Sequence, residues 1–138
     1  MSLEQAVYNI LAGDAAVAAL VGTRITEIAV PQGGAFPAIV YQMISGTEDM
    51  ACDGLLGERD ELVQITCWSA TTQAVAIALR EAVLAALFPA NQPYTGTTGG
   101  VTITGVSSPV TRDSPYYSEN EEATRYGKQI DIEFSYTR

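Results

Sequence analysis

The feature that most constrains this chain is a strand-to-helix stretch that is apolar on nearly every side, LVQITCWSATTQAVAIALREAVLAALF, residues 62–88. Its first eight residues predict a strand, because Val63, Ile65 and Cys67 alternate with more polar neighbours. Thr71 or Thr72 is suited to cap the helix that follows, and Pro89 ends it. Any fold for this chain has to bury most of that helix.

The helix carries two apolar stripes rather than one. The first stripe has i, i+4 spacing, is widened by Ala82 and Ala86, and is expected to cover a sheet; it consists of Val75, Leu79, Val83 and Leu87. The second stripe lies off that face and consists of Ile77, Leu84 and Phe88. Two covers are open for the second stripe, a neighbouring subunit or the first helix of the same chain.

The remaining pattern predicts two helices before the strands and two strands after the long helix. Ser2 with Gln5 forms a capping-box pattern for a first helix that Gly13 ends, and Asp14 is suited to cap a short second one. Residues 24–30 predict a short edge strand, 38–46 a central strand, and 101–106 and 126–138 two more. The expected fold is α+β in one domain, residues 1–138, with an antiparallel or mixed sheet of about 4–5 strands and helices packed on one face.

The segment from Thr47 to Glu61 has no consistent period and is crowded with carboxylates. We expect a long loop or a hairpin tip that joins two antiparallel strands, a kind of segment that is often functional. Its acids are Glu48, Asp49, Asp53, Glu58, Asp60 and Glu61. Their spacing matches no standard calcium loop, so solvated charge is expected rather than a metal site.

Composition excludes several classes of function. The absence of histidine removes the commonest general base and metal ligand, and we predict no catalytic residue, no metal, no cofactor and no enzyme activity. Cys67 is expected in the core, and neighbouring acids disfavour a reactive Cys52. A net charge of -9 argues against a general nucleic-acid binder and against docking on an anionic membrane. No signal peptide or membrane span is expected.

Three segments in matching order carry a resemblance to a known family. They are the helix pair that ends in LVGTRI, the strand entry PQGGAFPAIVYQ, and the unit VQITCWSATTQAVAIALREAV. With these the chain resembles the tail completion or tail terminator proteins of long-tailed bacteriophages, the gp17-like tail completion family. Residues Ala90 to Arg125 have no close counterpart in this resemblance.

The resemblance implies a structural virion protein that forms a ring, usually a hexamer, at the head-proximal end of the tail tube. Such a ring ends tube polymerisation and offers a surface to the head-tail connector or stopper. It implies as partners further copies of the chain, the major tail tube protein and the connector, with assembly in the host cytoplasm. DNA would only pass through the lumen. A head-completion or connector protein of the same neck region, and a small acidic binding module unrelated to virions, remain alternatives.

Within that reading, particular residues are expected to make the contacts. Ile77, Leu84 and Phe88 are candidates for a subunit interface, and the adjacent Tyr116 and Tyr117 suit an interface anchor. The acids of Thr47 to Glu61 are candidates for facing the lumen or the tube, where they would keep DNA phosphates from sticking. Plain solvent exposure is the alternative both for Thr47 to Glu61 and for the segment RDSPYYSENEEATR, residues 112–125, which contains the two tyrosines.

Overall fold

The computed structural model describes residues 2–28, 36–51, 54–114 and 126–137. Within these residues the chain forms three α-helices, α1 (Leu3–Gly13), α2 (Ala15–Val21) and α3 (Gln73–Leu87). Six strands accompany them: β1 (Ile25–Glu27), β2 (Ala38–Ala51), β3 (Gly54–Ser69), β4 (Gly96–Thr98), β5 (Val101–Ser114) and β6 (Tyr126–Thr137). A short 3-10 turn, Pro89–Asn91, follows α3.

The helices begin where their capping residues predict. The Ser2 hydroxyl accepts from the Gln5 amide, and the Asp14 carboxylate accepts from the amides of Ala16 and Val17. At α3 the cap is Thr72, whose hydroxyl accepts from the Val75 amide. Side-chain acceptors at these positions bind backbone amides that have no partner inside the helix. The first residue of each helix is therefore determined by residues within a few positions of it in the sequence.

The six strands form one mixed sheet in the order β1-β2-β3-β6-β5-β4. The pair β1 and β2 is parallel, and every other neighbouring pair is antiparallel. The mixed α/β class is as expected, but the sheet is larger than the four to five strands predicted. The extra strand is β4, which pairs with β5 beside the Gly99–Gly100 turn. It lies in ANQPYTGTTGG, residues 90–100, whose proline and glycine residues predict a loop.

The prediction of a loop from Thr47 to Glu61 is wrong for most of its length, because β2 and β3 pair from Ala38↔Trp68 out to Ala51↔Gly54. Paired strands therefore occupy most of the segment, and its described acids lie at strand positions: Glu48, Asp49, Glu58, Asp60 and Glu61. The chain after Val106, expected to be irregular, continues β5 to Ser114 with a register shift between Ser107 and Val110. Strands β2 and β5 each pair with a register shift, and a bulge of this kind breaks the alternation of side chains by which a strand is recognised in a sequence.

One hydrophobic cluster contains residues of the three helices and the side chains that alternate onto one face of β3 and β6. Val63, Ile65 and Cys67 of β3 are fully buried in it, as are Ile130, Ile132 and Phe134 of β6. Helix α3 packs on these two strands through Leu79, Val83 and Leu87, each fully buried. The first predicted stripe is thus core, except that Val75 is only half-buried. We call the opposite side of the sheet the outer face.

A glycine turn ties α1 to the far end of the sheet. Gly99 has a φ of 62°, and a Cβ there would lie 2.6 Å from the Ala6 amide nitrogen. The Gly99 carbonyl accepts from the Ser2 amide at 3.1 Å, and the Asn9 side chain donates to the Thr98 hydroxyl at 3.1 Å. Glycine is needed here for both the backbone conformation and the close approach.

Candidate assembly surfaces

The acids at the base of the β2–β3 hairpin are held by cross-strand partners on β6. The Ser135 hydroxyl donates to Asp60 at 2.5 Å, and the Tyr136 hydroxyl donates to Glu61 at 2.7 Å. Both carboxylates are half-buried, whereas Glu58 is exposed. Asp60 and Glu61 therefore differ from the freely solvated charges expected of this segment, and Glu58 matches them.

Arg59 offsets part of the hairpin's negative charge. Its guanidinium lies 3.5 Å from the Glu61 carboxylate and 6.0 Å from the centroid of the Tyr136 ring. The positive charge of Arg59 is stabilised both by the Glu61 carboxylate and by the electron-rich face of the Tyr136 ring. Arg59, Glu61 and Tyr136 thus form a small polar cluster on the same side of the sheet as the core.

Alternation along β3 and β6 places the other acids of these strands on the outer face. Residues directly opposite each other share a face, and Asp60↔Ser135, Leu62↔Glu133 and Gln64↔Asp131 are such pairs. Arg112 on β5 offsets one of these acids, with a guanidinium nitrogen 2.7 Å from Asp131. Among the described residues the outer face carries Glu58, Asp60, Asp131 and Glu133 against this one arginine, so it is net acidic.

The second apolar stripe of α3 is divided. Leu84 and Phe88 are partly buried and pack against the hydrophobic cluster of their own chain, in a helix that contacts α1 and α2. Ile77 stays 37% exposed. Contacts within the same chain therefore account for part of the burial of Leu84 and Phe88. Ile77 is the residue of this stripe whose side chain is most accessible to another molecule.

Several predicted residues cannot be assigned surroundings. Asp53, Tyr116 and Tyr117 lie outside the described residues. Glu48 and Asp49 belong to β2, and at these two positions only the backbone is described. Their roles as lumen or interface residues stay predictions.

Sequence reasoning missed two polar groupings that depend on strand register. One is the Arg59, Glu61 and Tyr136 cluster, and the other is the ion pair of Lys128 with Asp113. The Lys128 side chain is 7% exposed, on the side of β6 that it shares with Ile130. Neither could be found without the pairing of β3, β6 and β5, since the partners are far apart in the chain.

The described residues offer little reactive chemistry. Burial raises the pKa of the Cys67 thiol to about 12, against a smaller lowering effect of Arg80, so the thiol is a core group. Burial, and then the Glu27 carboxylate, raise the pKa of Tyr41. No group of three or more potential metal ligands occurs in the described ranges. No helix in the described part of the chain is long and apolar enough to cross a membrane.

Comparison with known proteins identifies what this architecture is similar to. A family model described as tail completion protein gp17 matches residues 5–115 of the chain. A chain from a solved structure, the virion of a native gene transfer agent particle, has a similar fold with a TM-score of 0.62 and 22% identity. That alignment covers 97% of this chain and 94% of the other, and at this identity it shows a shared fold. No curated protein matches the chain significantly.

Proposed function

This chain belongs to the tail completion protein gp17 family, and from that premise we propose that it forms a ring, of six copies, on the head-proximal end of the phage tail tube. Membership makes it a structural protein of a bacteriophage tail. In the proposed role the ring ends polymerisation of the major tail tube protein and then docks to the head-tail connector. The single observation that carries the proposal is the family match over residues 5–115.

The division of the sheet into two unlike faces supports a channel. We propose that all three helices cover the side with the hydrophobic cluster, so that the outer face of every copy turns towards the lumen. Glu58, Asp60 and Glu133 would then line the passage together with the Asp131–Arg112 pair. Carboxylates repel DNA phosphates, so an acidic wall favours transit over binding. In this proposal no catalytic step is required of the chain.

The exposed apolar residue of α3 supports contact with another protein. Ile77 is 37% exposed on a helix whose neighbouring turns are apolar, and we propose that it lies at a contact with the next copy or with the tube. A ring needs two different patches on each subunit, because rotational closure uses heterologous contacts. Leu84, Phe88, Tyr116 and Tyr117 would extend that contact, and the hairpin with Glu48, Asp49, Asp53 and Glu61 would approach the tube.

Deletion of the gene in the parent phage tests the role. The expected particles are DNA-filled heads and separate tails of abnormal length, seen by negative-stain electron microscopy. Complementation with the wild-type gene is the control and should restore attached tails of uniform length. Normal tails attached to heads in the deletion strain would contradict the proposal, and heads that lose their DNA would favour a head-completion protein of the neck.

A further inference from the structure

The sheet ends in two long open edges. Strand β1 pairs with β2 only over Ile39–Tyr41, and the Ile28 amide adds one bond to the Tyr41 carbonyl at 2.9 Å. Beyond this point, from 42 to 51, the outer edge of β2 has no neighbouring strand within the described ranges. At the other end of the sheet, β4 pairs with β5 only over Val101–Ile103. From 104 to 114 the outer edge of β5 likewise has no neighbouring strand within the described ranges. Unpaired strand edges are templates for another strand.

Exposed apolar side chains concentrate on these two edges. Within the described ranges four large apolar residues are exposed, and three of them lie there. Ile28, at the end of β1, is 68% exposed, Ile44 in a bulge of β2 is 46% exposed, and Val110 on β5 is 56% exposed. Ile28 also has a φ of 74°, which branched residues rarely adopt, so the local structure holds it outward in a strained conformation.

Charge is absent from the first part of each open edge. Residues 42–47 on β2 read QMISGT and residues 104–111 on β5 read TGVSSPVT, with no ionisable side chain in either. In a chain with a net charge of -9, an uncharged stretch lets two identical molecules approach with little repulsion. The two edges also lie at opposite ends of the strand order, as a head-to-tail contact requires.

We propose that the open edge of β2 in one copy pairs with the open edge of β5 in a second copy, so that the sheet continues from subunit to subunit. This inference rests on the proposed ring, and it names the surface through which the ring closes. Closure of the sheet removes its edges, and the outer faces of all copies become one continuous wall. Pro109 has no amide donor, so backbone pairing with the second copy would run on either side of it.

Chemical cross-linking through paired cysteines tests the contact. In a Cys52→Ser background, Ile44→Cys is combined with Val110→Cys, and assembled rings are treated with a flexible bis-maleimide. The buried Cys67 stays unmodified because its pKa is raised to about 12. A second pair, Ser45→Cys with Ser107→Cys, samples another register at exposed positions of the same edges. Cooperative thermal unfolding of each variant establishes that it is folded.

The expected result is a ladder of covalent multimers up to the size of the ring from either edge-to-edge pair. Each single-cysteine variant should give no ladder, because a β2 edge never meets another β2 edge in a head-to-tail contact. Glu81→Cys with Val110→Cys is the matched control and should also give none, because Glu81 is exposed on α3 and lies on neither edge. Monomers from both edge pairs, in particles whose rings are visible by microscopy, would overturn the edge contact and leave the ring intact. Absence of rings from wild-type protein, both in solution and on tails, would overturn the proposed function and the edge contact with it.

Discussion

The Tyr136 hydroxyl donates a 2.7 Å hydrogen bond to the Glu61 carboxylate, and this bond fastens the base of the acidic hairpin to the strand beside it. Glu61 is also ion-paired with Arg59 at 3.5 Å, and its side chain is only 12% exposed. A carboxylate this enclosed depends on its partners, because burying an unpaired charge is unfavourable. The hairpin therefore leaves the sheet from a fixed base.

Tyr136→Phe tests that base. The change removes one hydrogen bond to a partly buried carboxylate, and we expect a loss of about 1–2 kcal/mol in the free energy of unfolding. Urea denaturation monitored by circular dichroism measures it. Tyr8→Phe is the control, since the Tyr8 hydroxyl has no hydrogen bond to a described residue and the same ring is retained. Equal stability of the two variants would show that the Tyr136 bond adds nothing.

Gly99→Ala should destabilise the protein by more than about 1 kcal/mol, because the residue adopts a left-handed conformation that disfavours a side chain. The added methyl also meets backbone atoms of α1, which cannot move without shifting the helix. Gly13→Ala should be neutral or slightly stabilising, because no atom beyond its chain neighbours and its own helix backbone lies within 4 Å of the new Cβ. Thermal unfolding midpoints compare the two; a neutral Gly99→Ala would mean that the turn is looser than described.

Substitutions at Leu79 and Ile77 should distinguish the buried face of α3 from its exposed face by their effects on stability. Leu79→Ala creates a cavity at a fully buried site and should cost about 2–5 kcal/mol in stability. Ile77→Ala, on the same helix and 37% exposed, should change the free energy of unfolding by less than about 1 kcal/mol. Denaturant unfolding of the monomeric protein measures both. A large effect of Ile77→Ala would place that side chain in the core of its own chain.

Cys67 should make the protein less stable at alkaline pH. The folded pKa, about 12, lies above the ordinary value of 9.0 that applies to the unfolded chain. The contribution to stability is therefore complete below pH 9 and is lost as the pH rises towards 12. Tyr41, whose pKa is also raised, adds a loss of the same sign. Urea midpoints from pH 8 to 11 should fall more steeply for wild type than for Cys67→Ala, and parallel curves would contradict the assignment.

Neutralising the outer face should affect DNA transit and leave assembly unchanged. A Glu58→Gln/Glu133→Gln variant keeps the size of each side chain and leaves the Asp60–Ser135 bond in place. We expect tails of normal length and slower DNA release in a single-particle ejection assay. Glu81→Gln on α3, which is exposed and off the sheet, is the control and should eject DNA at the wild-type rate. Unchanged ejection by the double variant would argue against a lumenal outer face.

Local signals account for the parts of the fold that were predictable. Ser2, Asp14 and Thr72 mark helix starts through hydrogen bonds to amides a few residues away, so a short window contains the whole interaction. The clean alternation of β6 reflects one buried face, and its four apolar residues from Ile130 to Tyr136 are all buried. Both signals are independent of the rest of the chain.

The parts that were missed depend on distant partners. Around Glu48 and Asp60 the strands contain a bulge and polar residues on both faces, so no period of two arises. Pro109 and the adjacent register shift hide the second half of β5 in the same way. The bonds of Glu61 to Tyr136 and of Asp60 to Ser135 require knowledge of which strand lies beside β3, and chain order does not reveal that β6 is inserted there.

The strand order has a consequence for synthesis on the ribosome. The hairpin β2–β3 and the hairpin β4–β5 are translated first, yet within the sheet they are connected through β6, which lies between them. Until residues 126–137 leave the exit tunnel, β3 and β5 both lack the strand that pairs with them in the finished sheet. A chain truncated before Tyr126 would lack the strand that lies between the two hairpins, and we expect that it cannot complete the sheet.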